Sequence, residues 1–389
     1  MSTSRILKVG IPVSLSGQFH VQGAQALAGL RTWADDVNRS GGLSIGNRGA
    51  PWQILVVHYD DASIQESARL ATEKLIDVDR VDLLFGPYSG SLTEAACEIA
   101  EAREKLLWNQ GGASDTIYQR GYKWLAGILT PASEYLAGLL PLVRQADPQA
   151  VSVAILRASR GAFPRVVSSA VEQQAAALGF RLDCCREYDP ATTDLSGLLD
   201  EIAEHQPDVL LGVGRIRNDL LLARQLVESR VRPKAVAIVA TPIEEFQEAL
   251  AGDSDGFIGP SQWESSANYP IDYGPTAAQV LESLGRYGHH RVDYPMVQSY
   301  AAGVVAQRCV EASESLEDRV LRDTAGKLDF STFYGRFKID PATGRQVGHS
   351  VLLVQRQASQ KVVVWPPEQR QCALAYPWRD AARTPDTGC

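Results

Sequence analysis

The chain lacks any uncharged apolar run near the roughly 18 residues that cross a membrane as a helix, so direct membrane insertion is not expected. Met1-Ser2-Thr3-Ser4-Arg5 passes straight into strand-like sequence, with no apolar signal core and no lipid-attachment cysteine ahead of it. The expectation is either a protein that stays inside the cell or a sequence without its leader. An excess of positive charge is also missing. Lys+Arg number 38 against 46 Asp+Glu, a net charge of −8. That argues against nucleic acid as a partner, because such proteins present a basic face.

Catalytic signatures are absent as well. Gly212-Val213-Gly214-Arg215-Ile216-Arg217 starts like a dinucleotide fingerprint but has Arg217 where the third glycine belongs. There is no phosphate-loop lysine. Ser89 is not at a nucleophile elbow, since Pro87 and Ser91 stand where glycines are required. The six cysteines, Cys97, Cys184, Cys185, Cys309, Cys372 and Cys389, form no matched pair of Cys-x-x-Cys motifs, which argues against zinc. They read as reduced, structural thiols. The six histidines are scattered; the His289-His290 pair reads as a solvated turn, since chain neighbours rarely share a metal. Asp60-Asp61 reads first as helix-start carboxylates. No enzyme activity, metal or cofactor is expected.

What is present is a repeating alternation. A length of 389 residues suits about two domains. At 45% hydrophobic and 22% charged, the composition is that of a globular chain with a sizeable core. The chain is organised around Val81-Asp82-Leu83-Leu84-Phe85, a short apolar run that reads as a buried strand. Gly86-Pro87-Tyr88-Ser89-Gly90-Ser91 follows with turn chemistry. Leu92, Ala95, Ala96 and Ile99 then recur at helical spacing. The first amides of a helix have no internal partner and sit at its positive end. With hydroxyls from Ser89 and Ser91, this corner suits a carboxylate. The alternative is that the serines only cap the helix.

Leu7–Val13, 51–59 and Leu106–Trp108 read as further strands. The last closes on a second small-residue turn, Asn109-Gln110-Gly111-Gly112-Ala113-Ser114-Asp115. The pattern restarts after Thr130-Pro131, with strands at 151–156, 209–213 and 235–239 separated by helical stretches. Strand–helix alternation predicts α/β structure with parallel sheets covered by helices. Two such doubly wound units follow one another with no long flexible linker. Ligands bind such sheets at the carboxyl ends of the strands, where both small-residue turns fall.

These residues resemble the leucine/isoleucine/valine-binding proteins, which are type I periplasmic binding proteins serving ABC importers. The resemblance rests on Val9–Gly17, Gly86–Ser91, Gly111–Ser114, Phe333–Phe337 and Lys361–Pro367, in that order over nearly the whole chain. It implies two Rossmann-like lobes with three hinge crossovers. Lobe 1 would take 6–127 and 257–334, lobe 2 would take 128–256 and 335–378, and 379–389 would be a flexible tail. It implies a non-enzymatic protein that closes on a small carboxylate, amide or amino-acid-like ligand in a cleft between lobes. The partners would be ABC-importer membrane subunits, with a periplasmic or extracytoplasmic location. The same fold also serves cytoplasmic amide-sensing regulators, for which a regulatory protein would be the partner; Ala162-Phe163-Pro164-Arg165 looks like that subgroup. By resemblance the ligand carboxylate would lie on Ser89, Gly90 and Ser91 and on Gly112, Ala113 and Ser114. Phe19 would supply an aromatic wall, Phe163 would match an aromatic position of the second lobe, Arg215 or Ile216 would fall at another such position as a departure from the family, and Tyr294 would line the cleft. Leucine-binding relatives place an acid after the strand matching 235–239. Here Pro242 falls at that place, leaving Glu244 as the substitute for holding an ammonium group.

Overall fold

The computed structural model describes residues 5–46, 50–288 and 292–378. His289-His290 and the tail expected at 379–389 lie outside the described residues. The chain divides into two compact units. Unit 1 is Met1–Pro131 with Asn268–Ser350, and unit 2 is Ala132–Ala267 with Val351–Cys389.

Unit 1 opens with β1 (Arg5–Val13), α1 (His20–Arg39), β2 (Trp52–Asp60), α2 (Gln65–Glu73) and β3 (Leu83–Phe85). It continues with α3 (Gly90–Ala102), β4 (Leu107–Asn109), α4 (Thr116–Gln119) and β5 (Leu125–Gly127). Its sheet runs β2-β1-β3-β4-β5, every pair parallel. Burial on both faces explains why β3 and β4 are wholly apolar up to their last residues.

Unit 2 begins with α5 (Leu139–Ala146), β6 (Ser152–Ala158), α6 (Ala162–Leu178), β7 (Arg181–Tyr188) and α7 (Ser196–His205). Then come β8 (Val209–Val213), α8 (Ile216–Glu228), β9 (Ala235–Ile238), α9 (Glu244–Leu250) and β10 (Phe257–Ser261). The chain returns to unit 1 for α10 (Ala277–Arg286), α11 (Tyr294–Ser313), α12 (Asp318–Ala325) and the hairpin β11 (Phe330–Thr332) with β12 (Gly335–Phe337). It ends in unit 2 with β13 (Leu352–Gln357) and β14 (Gln360–Trp365). The seven-stranded sheet of unit 2 runs β14-β13-β10-β9-β8-β6-β7.

The observed unit boundaries correct the expected ones at two places. The stretch 257–267, expected in lobe 1, belongs to unit 2, because β10 pairs parallel with β9 and antiparallel with β13. The stretch 335–350, expected in lobe 2, belongs to unit 1. There β12 pairs with β11, and the Gly127 amide donates to Gly344 O at 2.8 Å. The hairpin replaces one glycine-broken strand because Gly335 turns the chain at φ +122°. Cys372 is disulfide-bonded, which corrects the reading of all six thiols as reduced. Cys97, Cys184, Cys185 and Cys309 are free.

Small residues set the closest approaches of unit 1. A Cβ on Gly29 of α1 would lie 1.9 Å from Met296 O, and one on Gly303 of α11 would lie 2.2 Å from the Trp33 ring. The two long helices therefore pack backbone to backbone over a core that includes Trp33, Phe85 and Trp108.

Candidate functional site

Strand order places the crevices. In unit 1 the chain leaves β1 for β2 on one side and then for β3 on the other. In unit 2 it leaves β6 for β7 on one side and for β8 on the other. Each sheet therefore has a switch point, and the turns leaving the two strands beside it open a crevice where ligands bind in such folds. In unit 1 these are the turns after β1 and β3, carrying Phe19 and Ser89–Ser91. In unit 2 they are the turns after β6 and β8, carrying Phe163 and Arg215.

The unit 1 turns are built by mutual packing. The Gly86 amide donates to Trp108 O at 2.9 Å, and Gln110 Nε2 returns to Gly86 O at 2.7 Å. Thr93 Oγ1 donates to Pro87 O at 3.0 Å. Asn109 holds the second turn at both ends, accepting from the Gly112 amide and donating to Gly112 O, each at 2.8 Å. A Cβ on Gly111 would lie 2.4 Å from Pro87 O, one on Gly112 2.5 Å from Thr93, and one on Gly90 2.7 Å from Ser114. Glycine is required for these close approaches.

At the corner itself, Ser89 adopts φ +86° and ψ 146°, a region that residues with a Cβ rarely occupy. Such strain concentrates at ligand clamps. Ser89 is the N-cap of α3, and its Oγ accepts from the Leu92 amide at a long 3.4 Å. Ser89 Oγ and Ser91 Oγ stand 3.3 Å apart. The cap exists, and it leaves the two hydroxyls together at the positive end of a helix. Gly112 is buried and Ala113 half-buried. The Ser114 hydroxyl is already engaged, donating to Glu94 Oε1 at 3.4 Å and sharing a 2.7 Å bond with Thr116. Thr116 also donates to Glu94, and Arg120 pairs with Glu94 at 3.6 Å.

An aromatic wall stands beside the serines. The half-buried Phe19 ring meets Tyr88 edge-on at 5.9 Å between centroids. The Tyr88 hydroxyl lies 2.5 Å from that of Tyr294, the first residue of α11. The sequence reading places Tyr88 in the turn but not among the site residues; its position beside Ser89 was the available signal. The β1 turn is braced by Asp60 and Asp61, which do more than start a helix. Asp60 accepts from the Leu15 amide and from Ser16 Oγ at 2.9 and 2.8 Å, and Ser14 Oγ donates to Asp61 at 2.6 Å. Ser63 Oγ then accepts from the Phe19 amide at 3.1 Å. Burial raises the Asp61 carboxyl above the usual range, while its hydrogen bonds partly offset this.

In unit 2, Phe163 is half-buried at the start of α6, edge-on to Tyr135 at 5.6 Å. Arg215 is exposed as the N-cap of α8, and Glu244 is exposed as the first residue of α9. The β9–α9 loop is fixed from behind: Arg356 donates to Thr241 O at 3.1 Å and to Ile243 O at 2.9 Å. Sequence reasoning also missed Asp219, 1% exposed, whose Oδ2 accepts from the Ala240 amide at 3.1 Å. Burial pushes its carboxyl up to about 8. The described residues contain no cluster of metal-ligating side chains.

Two doubly wound units with a crevice at each switch point define the type I periplasmic-binding-protein fold. The chain belongs to the periplasmic binding protein family, whose model matches residues 6–361. Leu/Ile/Val-binding protein homolog 8 of Brucella abortus is 25% identical over 239 residues, which span 59% of this chain and 57% of that relative. Among solved structures, the substrate-binding protein LivJ of Streptococcus pneumoniae, in complex with isoleucine, superposes with a TM-score of 0.76 at 15% identity. The match covers 93% of this chain and all of LivJ (100%). An ABC-transporter solute-binding protein of R. palustris in complex with benzoate gives 0.74 at 18% identity, covering 95% and 100%. At these identities the structures establish the fold. No helix among the described residues is long and apolar enough to cross a membrane.

Proposed function

We propose that the chain is a non-enzymatic solute-binding protein, the receptor component of a branched-chain amino-acid-type ABC importer. Its ligand is a small carboxylate without a free α-ammonium group. The observation that carries this reading is the Ser89 corner. A strained residue holds two hydroxyls 3.3 Å apart at the amino end of a 13-residue helix, beside the Phe19–Tyr88 wall. Those groups donate hydrogen bonds to an anion, and hydrogen bonds to a charged group are the strong ones. An ammonium would need a carboxylate partner, because an unpaired buried charge is costly. Glu94, the acid in the first turns of the same helix, is already tied to Ser114, Thr116 and Arg120. The disulfide at Cys372 suits an oxidising compartment outside the cytoplasm.

Calorimetry with leucine, valine and their des-amino counterparts, 4-methylpentanoate and 3-methylbutanoate, tests the reading. The carboxylates should bind more tightly than the amino acids and be recovered unchanged. Micromolar leucine binding that is lost in Glu244→Gln would overturn it in favour of an amino-acid receptor.

A further inference from the structure

One face of α11 reaches both turns of the Ser89 corner. Tyr294 and Gln298 are four residues apart on that helix, so their side chains leave the same face. Tyr294 meets the Tyr88 hydroxyl of the first turn at 2.5 Å. Gln298 Nε2 donates to Gln110 O of the second turn, and Gln110 Nε2 donates onward to Gly86 O at 2.7 Å. The second turn is therefore held by α11 and itself holds the first. The other end of the Gln298 amide is used as well, since its Oε1 accepts from the Tyr334 hydroxyl at 2.7 Å. The Tyr334 ring, between β11 and β12, lies nearly parallel to the His349 ring at 4.6 Å, and His349 shares a 2.6 Å bond with Thr130. All of these residues belong to unit 1.

Gln298 is a costly choice where it stands. α11 is buried without a break from Pro295 to Ala306, and Gln298 is 0% exposed. A primary amide in such a place loses its water at both ends and recovers the loss only through partners. Methionine has nearly the same length and would fill the space with no polar group to satisfy. Neither partner of the Gln298 amide belongs to its own helix. One is a main-chain carbonyl of the second turn, and the other is a phenol braced by stacking on His349. The second turn continues through Gly111, Gly112 and Ala113, which bring little side chain of their own to anchor it.

We infer that Gln298 is a positioning residue for the ligand corner: through Gln110 and Gly86 it sets where Ser89 and Ser91 stand. The inference rests on the proposed function, since it assigns what aligns the donors of that site.

The test is a double-mutant cycle read by calorimetry on the whole chain, with 4-methylpentanoate or 3-methylbutanoate, whichever binds the parent more tightly. Its members are the parent, Gln298→Met, Ser89→Ala/Ser91→Ala, and the combination. Gln298→Met should weaken binding about tenfold with the serines present and less than about twofold without them, because a displaced turn matters only while it carries the donors. A merely structural role would lower the melting temperature and leave the two losses additive. Tyr334→Phe keeps the ring and its stack on His349 and removes only the hydroxyl; it should show a smaller loss of the same kind, and it serves if Gln298→Met does not fold. Hydrogen exchange of the amides at 86–92 and 110–112 should quicken in both variants without ligand. Additive losses, or unchanged affinity with unchanged exchange, overturn the inference and leave the proposed function standing. A parent that binds neither carboxylate overturns the proposed function, and the inference with it.

Discussion

Replacing Asp219 by asparagine should change how the stability of unit 2 depends on pH. The Asp219 carboxyl is 1% exposed, held by the Ala240 amide at 3.1 Å and close to the Tyr188 hydroxyl, with burial dominating its ionisation. In an unfolded chain such a group titrates near 3.9, whereas in the fold it does so at about 8. Below about pH 4 both states hold the proton and the group adds no pH dependence. Between about 4 and 8 the unfolded chain has released a proton that the fold retains, so stability falls as pH rises, by about 1.4 kcal/mol per unit. Above about pH 8 both states are ionised and the slope vanishes. Asparagine keeps the shape and the acceptor oxygen and removes the titration. Between pH 5 and 7 the variant should gain on the order of 2–3 kcal/mol relative to the parent. Urea unfolding at a series of pH values measures the gap, with hydrogen exchange in β8 and β9 isolating unit 2, since two units need not unfold together. Other titrations are common to both proteins and cancel. Parallel curves for parent and variant from pH 5 to 8 would refute the reasoning.

Gly112→Ala places a Cβ 2.5 Å from Thr93, and overpacking of this kind costs about 1–3 kcal/mol; a normal melting temperature with normal ligand affinity would contradict the packing described for the two turns. Tyr294→Phe removes the 2.5 Å bond to Tyr88. It should lower stability by about 0.5–1.5 kcal/mol and weaken the binding of any ligand that rests on Tyr88, as calorimetry would show. Arg356→Met strips donors from Thr241 O and Ile243 O inside unit 2. Each carbonyl left unsatisfied costs about 1–3 kcal/mol, so denaturant unfolding should show one of the largest losses of any single substitution in this unit.

The sequence disclosed the strand–turn–helix at Val81–Ile99 because a buried parallel strand is continuously apolar and the turn after it is rich in glycine, proline and serine. β7 escaped notice. As an edge strand its sequence, Arg181-Leu182-Asp183-Cys184-Cys185-Arg186-Glu187-Tyr188, is rich in charge and fully buries only Cys184 and Tyr188. α7, which follows it, is short and was missed with it. The crossing at 267 was illegible because it depends on the strand with which β10 pairs, a long-range choice that leaves no local mark. The Tyr88–Tyr294 bond joins residues 206 apart in the chain, beyond any spacing argument. Asp219 reads as one more charge on a helix; only the packing of α8 against the end of β9 reveals it as buried. Ser89, by contrast, was legible as a position but not as a strained one.

The central claim is that the Ser89–Ser91 corner holds the ligand's carboxylate. Calorimetry on the whole chain, parent against Ser89→Ala/Ser91→Ala, with whichever of the named carboxylates binds the parent most tightly, tests it directly. The account predicts a loss of on the order of 1–3 kcal/mol in binding, roughly fivefold to 150-fold in affinity, with a melting temperature lowered by no more than the loss of a long cap. Unchanged affinity in a variant that melts early would contradict the claim and leave the two serines as helix caps alone.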